Sequence, residues 1–134
     1  MANKNTKLVR AEAVVDISAA AATTAFTMDV PFDGYLVIDE SFARWEEDAG
    51  SQTTTAGVAS IEVGGNEVAT ITSAKDEVIG DTDTWTVDGT YATAANPVVK
   101  VSAGDAVVLK TKTQAVGGTV TGTLRAYLAF DFGA

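Results

Sequence analysis

The sequence has no cysteine and no histidine in its 134 residues. Without thiol or imidazole there is no cysteine nucleophile, no Ser-His-Asp triad, no structural zinc site of the usual donor set and no imidazole acid–base step. Positive charge is also scarce, with 9 Lys+Arg against 18 Asp+Glu, a net charge of −9. Three of the nine cations, Lys4, Lys7 and Arg10, fall in the first ten residues, which hold no acid, so the remainder of the chain is at −12. An acidic body repels nucleic acid and anionic membrane, so neither is expected as a partner. Long apolar runs are missing. The longest uncharged apolar stretch, Ile17 to Met28, is rich in Ala with paired Thr and falls short of the ~20 residues that cross a bilayer. The start of the chain lacks the apolar core of a signal peptide, since Arg10, Glu12 and Asp16 interrupt it.

Helix signals are nearly absent. No window sustains an i, i+3, i+4, i+7 apolar stripe, and the Ala19–Ala22 tract is too short to nucleate alone. Strand signals are dense. A first β-rich run covers about 8–17 and a second Ala25–Val30; Pro31-Phe32-Asp33-Gly34 then turns the chain into Tyr35–Phe42. Arg44–Gly57 reads as a long exposed loop. Val58–Val63 and Val68–Thr72 flank Gly64-Gly65-Asn66 as a hairpin, and Trp85–Val87 is a short strand ending at Asp88-Gly89. From Val120 to Phe132 the apolar residues Val120, Leu124, Ala126, Leu128, Phe130 and Phe132 share one parity, with Gly122 among them. This predicts a long central strand with Leu124, Leu128 and Phe130 in the core, and a close approach or bulge at Gly122. Runs at this spacing without intervening helices predict an all-β, antiparallel two-sheet β-sandwich, with a jelly roll as first choice. Residues 1–10 form a basic, extended N-terminal arm and residues 11–134 a single β-sandwich domain.

Carboxylates are the remaining acid–base candidates. Glu46, Glu47 and Asp48 are adjacent in sequence, and nothing holds two of them at the ~5–9 Å that glycoside hydrolysis needs; the reading is a solvated acidic loop and a protein that is not an enzyme. Asp81, Asp83 and Asp88 are spaced as a calcium candidate, but Trp85 and Thr86 stand where an EF-hand loop requires an oxygen ligand and a glycine, and the competing reading makes them turn residues. Trp45 and Tyr91 lie in expected loops as ligand-stacking or interface aromatics. Gly64-Gly65 and Gly117-Gly118 are turns rather than phosphate cradles, and no cofactor is implied.

The Pro31-Phe32-Asp33-Gly34-Tyr35-Leu36 turn, the Val101-Ser-Ala-Gly-Asp105-Ala-Val-Val-Leu109 segment and the Gly117-Gly-Thr-Val-Thr-Gly-Thr-Leu124 ending together resemble the small jelly-roll virion proteins of tailed bacteriophages, most of all capsid decoration (cement) proteins. The similarity spans roughly residues 25–132. It implies a homotrimer on the outer surface of the virion, made in the host cytoplasm, that bridges subunits of the major capsid protein and stabilises the icosahedral head without chemistry. In that setting Lys4, Lys7 and Arg10 would be the capsid-contacting arm. The rival reading is a receptor- or carbohydrate-binding β-sandwich module, a fibre tip or adhesin-like domain.

Overall fold

The structure is a computed structural model that describes residues 8–46, 55–73, 79–116 and 122–133. Eleven strands follow one another: β1 (Val9–Asp16), β2 (Thr23–Asp29), β3 (Gly34–Val37), β4 (Phe42–Trp45), β5 (Val58–Val63), β6 (Asn66–Thr72), β7 (Thr82–Thr84), β8 (Thr86–Val87), β9 (Val98–Val101), β10 (Ala106–Thr113) and β11 (Thr123–Asp131). Among the described residues the one helical piece is a 3-10 turn at Ile38–Glu40. The Ala19–Ala22 tract is no helix; it ends at Ala22 with φ of 67°.

The strands form two antiparallel sheets. In the first, β11 pairs with β1 on one side and with both β3 and β4 on the other, while β9 pairs with β3 and β7 with β4. The second runs β2-β10-β5-β6-β8. The 3-10 turn interrupts what is otherwise one line of chain from β3 to β4. Ser41 closes the interruption: its hydroxyl donates to the Val37 carbonyl at 2.8 Å and accepts the Ala129 N–H at 2.9 Å, so the β11 backbone group facing the gap keeps a partner. Counting β3 and β4 as one line, first pairs with last and second with next-to-last, which is the connectivity of a jelly roll.

The inward parity of β11 is as expected. Leu124, Ala126, Leu128 and Phe130 are all buried, although the described strand begins at Thr123 and Val120 lies outside the described residues. A Cβ built on Gly122 would stand 2.9 Å from the Ile17 side chain and 3.3 Å from Trp45, which explains a glycine at an inward position. The expected hairpin forms between β5 and β6 across Gly64 and Gly65, both at positive φ. One side of the sandwich is closed: β7 belongs to the first sheet and β8 to the second, and buried Trp85 sits between them where the chain crosses. On the opposite side the edge strands are β1 and β2.

Two expectations need correction. Arg44–Gly57 is not one exposed loop, because Phe42-Ala43-Arg44-Trp45 alternates out and in as β4, paired to both β11 and β7. The basic leader does not extend to residue 10 as a free arm: Arg10 lies within β1, opposite Ala129 of β11.

Candidate interaction surface

Trp45 is fully buried, so it offers no stacking platform. Its ring shares the inward parity of Ala43, and its indole N–H donates to the Asp83 carboxylate at 2.8 Å across the β4–β7 pair. Asp83 is therefore an acceptor for a core side chain. Asp88 follows β8 on the other sheet, where its carboxylate accepts the N–H groups of Thr90 at 2.9 Å and Tyr91 at 3.1 Å, the local turn that aspartate favours. The Asp81 carbonyl accepts the Trp45 N–H at 2.9 Å. The Asp83 and Asp88 carboxylates are thus set to separate tasks, and no group of three or more possible metal ligands occurs among the described residues. Tyr91 is exposed in the turn that Asp88 organises. Lys4, Lys7, Glu47 and Asp48 lie outside the described residues.

Other aromatics also reach solvent. On the outer face of the first sheet, Glu12, Tyr127, Phe42 and Thr84 stand in one cross-strand row, and Val14, Arg125, Arg44 and Thr82 in the next. The Phe42 and Tyr127 rings stack at 4.7 Å between centroids with planes 22° apart. Such directly opposed aromatic pairs stabilise antiparallel strands. Arg125 pairs with Glu46 through its Nε and reaches Glu12 at 3.5 Å. Its hydrogen bond to Glu46 holds that carboxyl below its ordinary range and raises the guanidinium correspondingly. Arginine and stacked aromatics side by side on a sheet face are residue types enriched at protein interfaces.

A second aromatic group lies at the end of the same sheet. Phe130 is buried; Phe132 stacks on it at 5.4 Å, and exposed Phe32 meets Phe132 edge-on at 6.0 Å. Beside them Asp33, Gly34, Tyr35, Lys100, Asp131 and Phe132 line a cleft of about 230 Å³. Tyr35 stands opposite both Lys100 and Asp131 in the sheet. Gly34 lets the strands close here, since a Cβ there would fall 2.3 Å from the Asp131 carbonyl oxygen.

The sequence carried a signal for these residues in the alternation of Phe42 with Arg44 and of Arg125 with Tyr127, but their meeting depends on which strands pair. No protein-family model matches this chain, and a search of curated proteins finds no match to it.

Proposed function

We propose that this is a non-enzymatic capsid decoration protein of a tailed phage, one that attaches to the major capsid protein on the outer surface of the head. The resemblance in the β2–β11 segments supplies the class. The observation that supports it is the Phe42–Tyr127 stack beside the Arg44–Arg125 row on the outer face of the first sheet. Half-exposed aromatics and arginines on a flat sheet face suit a broad, flat partner, because their burial supplies most of the energy of a typical protein interface. The acidic remainder of the body keeps the decorated shell in solution by mutual repulsion.

The test is binding to undecorated heads. Phe42→Ala and Tyr127→Ala should each cut occupancy strongly, and Thr27→Ala, on the outer face of the other sheet, should not. A second arm deletes residues 2–7 to ask whether Lys4 and Lys7 contribute. Undiminished binding by both aromatic variants overturns this face as the attachment surface.

A second reading, a receptor- or carbohydrate-binding module, is favoured by the Tyr35–Lys100–Asp131 cleft, where an aromatic ring stands beside a carboxylate and an ammonium group. Glycan-array binding that is lost in Tyr35→Ala would place this reading first.

A further inference from the structure

We propose that the free edge of β1 pairs antiparallel with β1 of a second copy, joining two sandwiches through a continuous first sheet. This goes beyond attachment to a capsid and uses the edge of the first sheet, next to the Phe42–Tyr127 face.

The phase of the backbone carries the argument. The Ile17 N–H donates to the Gly122 carbonyl at 3.0 Å, and these two residues continue the β1–β11 register, in which Val15 opposes Leu124. Hydrogen-bonded pairs alternate along an antiparallel ladder. The odd-numbered residues of β1 therefore point their N–H and C=O groups at β11, and Arg10, Glu12 and Val14 point theirs outward. Among the described residues those outward groups have no backbone partner. An unpaired strand edge with its donors and acceptors in line is a template for another strand.

The core is also incomplete on this side. Ala11 and Ala13 of β1, and Phe26 and Met28 of β2, pack against the core yet are only partly buried. Val9, on the same parity as Ala11, is 54% exposed. The opposite side is closed by the Trp85 crossing; among the described residues no strand crosses this one.

Side-chain complementarity selects a second copy and one register. To stay in phase, even-numbered residues must oppose even-numbered ones. A pairing centred on Glu12 sets two Glu12 carboxylates against each other, and one centred on Ala13 calls on the Asp16 carbonyl, which already accepts the Ala19 N–H at 3.1 Å and the Thr111 hydroxyl at 2.7 Å. A pairing centred on Ala11 meets neither obstacle. It sets Arg10 opposite Glu12 of the second copy and Leu8 opposite its Val14 on the outer face, and Val9 opposite its Ala13 on the inner face. Charge meets opposite charge and apolar meets apolar in every row, which is what cross-strand pairing rewards. Arg10 has no ion pair within the chain among the described residues, so its charge is available. The two-fold makes each contact twice.

The experiment is sedimentation equilibrium of the full chain, with far-UV circular dichroism on every variant to show that the sandwich is intact. The wild type should be a dimer at tens of micromolar. Val14→Pro removes an N–H that faces away from β11, which an edge strand tolerates, and should give folded monomer. Arg10→Glu should weaken the dimer by about tenfold or more, since like charges then oppose across the seam, and adding Glu12→Arg should recover most of that loss even though it also breaks the pair of Glu12 with Arg125. Should Val14→Pro fail to fold, the Arg10 pair of variants decides alone. A wild type that stays monomeric at several hundred micromolar, or a trimer unmoved by Arg10→Glu, overturns the edge pairing. Either result leaves the head-binding test of the Phe42–Tyr127 face unaffected, and that test can fail with the dimer intact.

Discussion

The Trp45 indole N–H, on a side chain with no exposed surface, ends on the Asp83 carboxylate 2.8 Å away. This bond couples the middle of the first sheet to β7, a three-residue strand with little packing of its own. A buried donor that loses its acceptor bears the full cost of its desolvation. Asp83→Ala should therefore destabilise the fold by about 1–3 kcal/mol, read as a lower urea midpoint with an unchanged slope. Asp83→Asn keeps an acceptor and should lose less. Equal stability of wild type and Asp83→Ala would mean that another group takes the indole proton.

The Glu46–Arg125 pair gives stability a pH dependence of known sign. Hydrogen bonding to Arg125 lowers the Glu46 pKa from its ordinary 4.5. A carboxylate with a lowered folded-state pKa favours the fold fully above its unfolded value, and that contribution is lost as pH falls through the lowered one. The stability difference between wild type and Glu46→Gln should thus be present at pH 7 and shrink below about pH 4.5. The pair sits at the surface, so the difference should be small and should diminish with added salt. A difference that grows on acidification would contradict the assignment.

Much of the fold is legible in the residues because it is local. The Val58–Thr72 hairpin has its strands and its two glycines side by side in sequence, and the alternation of Leu124, Ala126, Leu128 and Phe130 states which face of β11 is buried before any partner is known. Trp45 was obscured for a specific reason. The acids of Glu46-Glu47-Asp48 give the neighbourhood the composition of a loop, while the Phe42–Trp45 alternation is only one strand of four residues long. The aromatic surface was hidden by distance along the chain: Phe42 and Tyr127 become neighbours because β4 lies against β11, and nothing near either residue announces that pairing. Asp83 is similar, since its role as acceptor follows from β7 lying on β4, whereas its sequence context suggests a turn.

Ser60 supplies a prediction in the opposite direction. It is fully buried in β5, between Lys110 and Thr70 of the flanking strands, and its hydroxyl has no hydrogen-bond partner among the described residues. Removing an unsatisfied buried hydroxyl relieves a desolvation cost and leaves a void of only one oxygen atom. Ser60→Ala should be neutral or more stable by up to about 1 kcal/mol. A loss above 1 kcal/mol in chemical denaturation would show that the hydroxyl is hydrogen-bonded in solution.

Gly34 links the fold to the end cleft. Its φ is not in the left-handed region, so backbone freedom does not require glycine here; contact does. A Cβ would meet the Asp131 carbonyl oxygen at 2.3 Å and the Phe132 ring at 2.9 Å. The first obstacle is backbone in the β3–β11 ladder and cannot rotate away, so the strands must part. Such overpacking costs about 1–3 kcal/mol. Because Gly34, Tyr35, Asp131 and Phe132 all line the cleft, parting them also moves Tyr35 away from Asp131. Gly34→Ala should therefore lower the unfolding midpoint and perturb the amide resonances of residues 130–132, while Gly64→Ala, with open space around its Cβ position, should leave those resonances in place. If Gly34→Ala left both the midpoint and the 130–132 amides unchanged, the close approach of β3 to the end of β11 would be wrong.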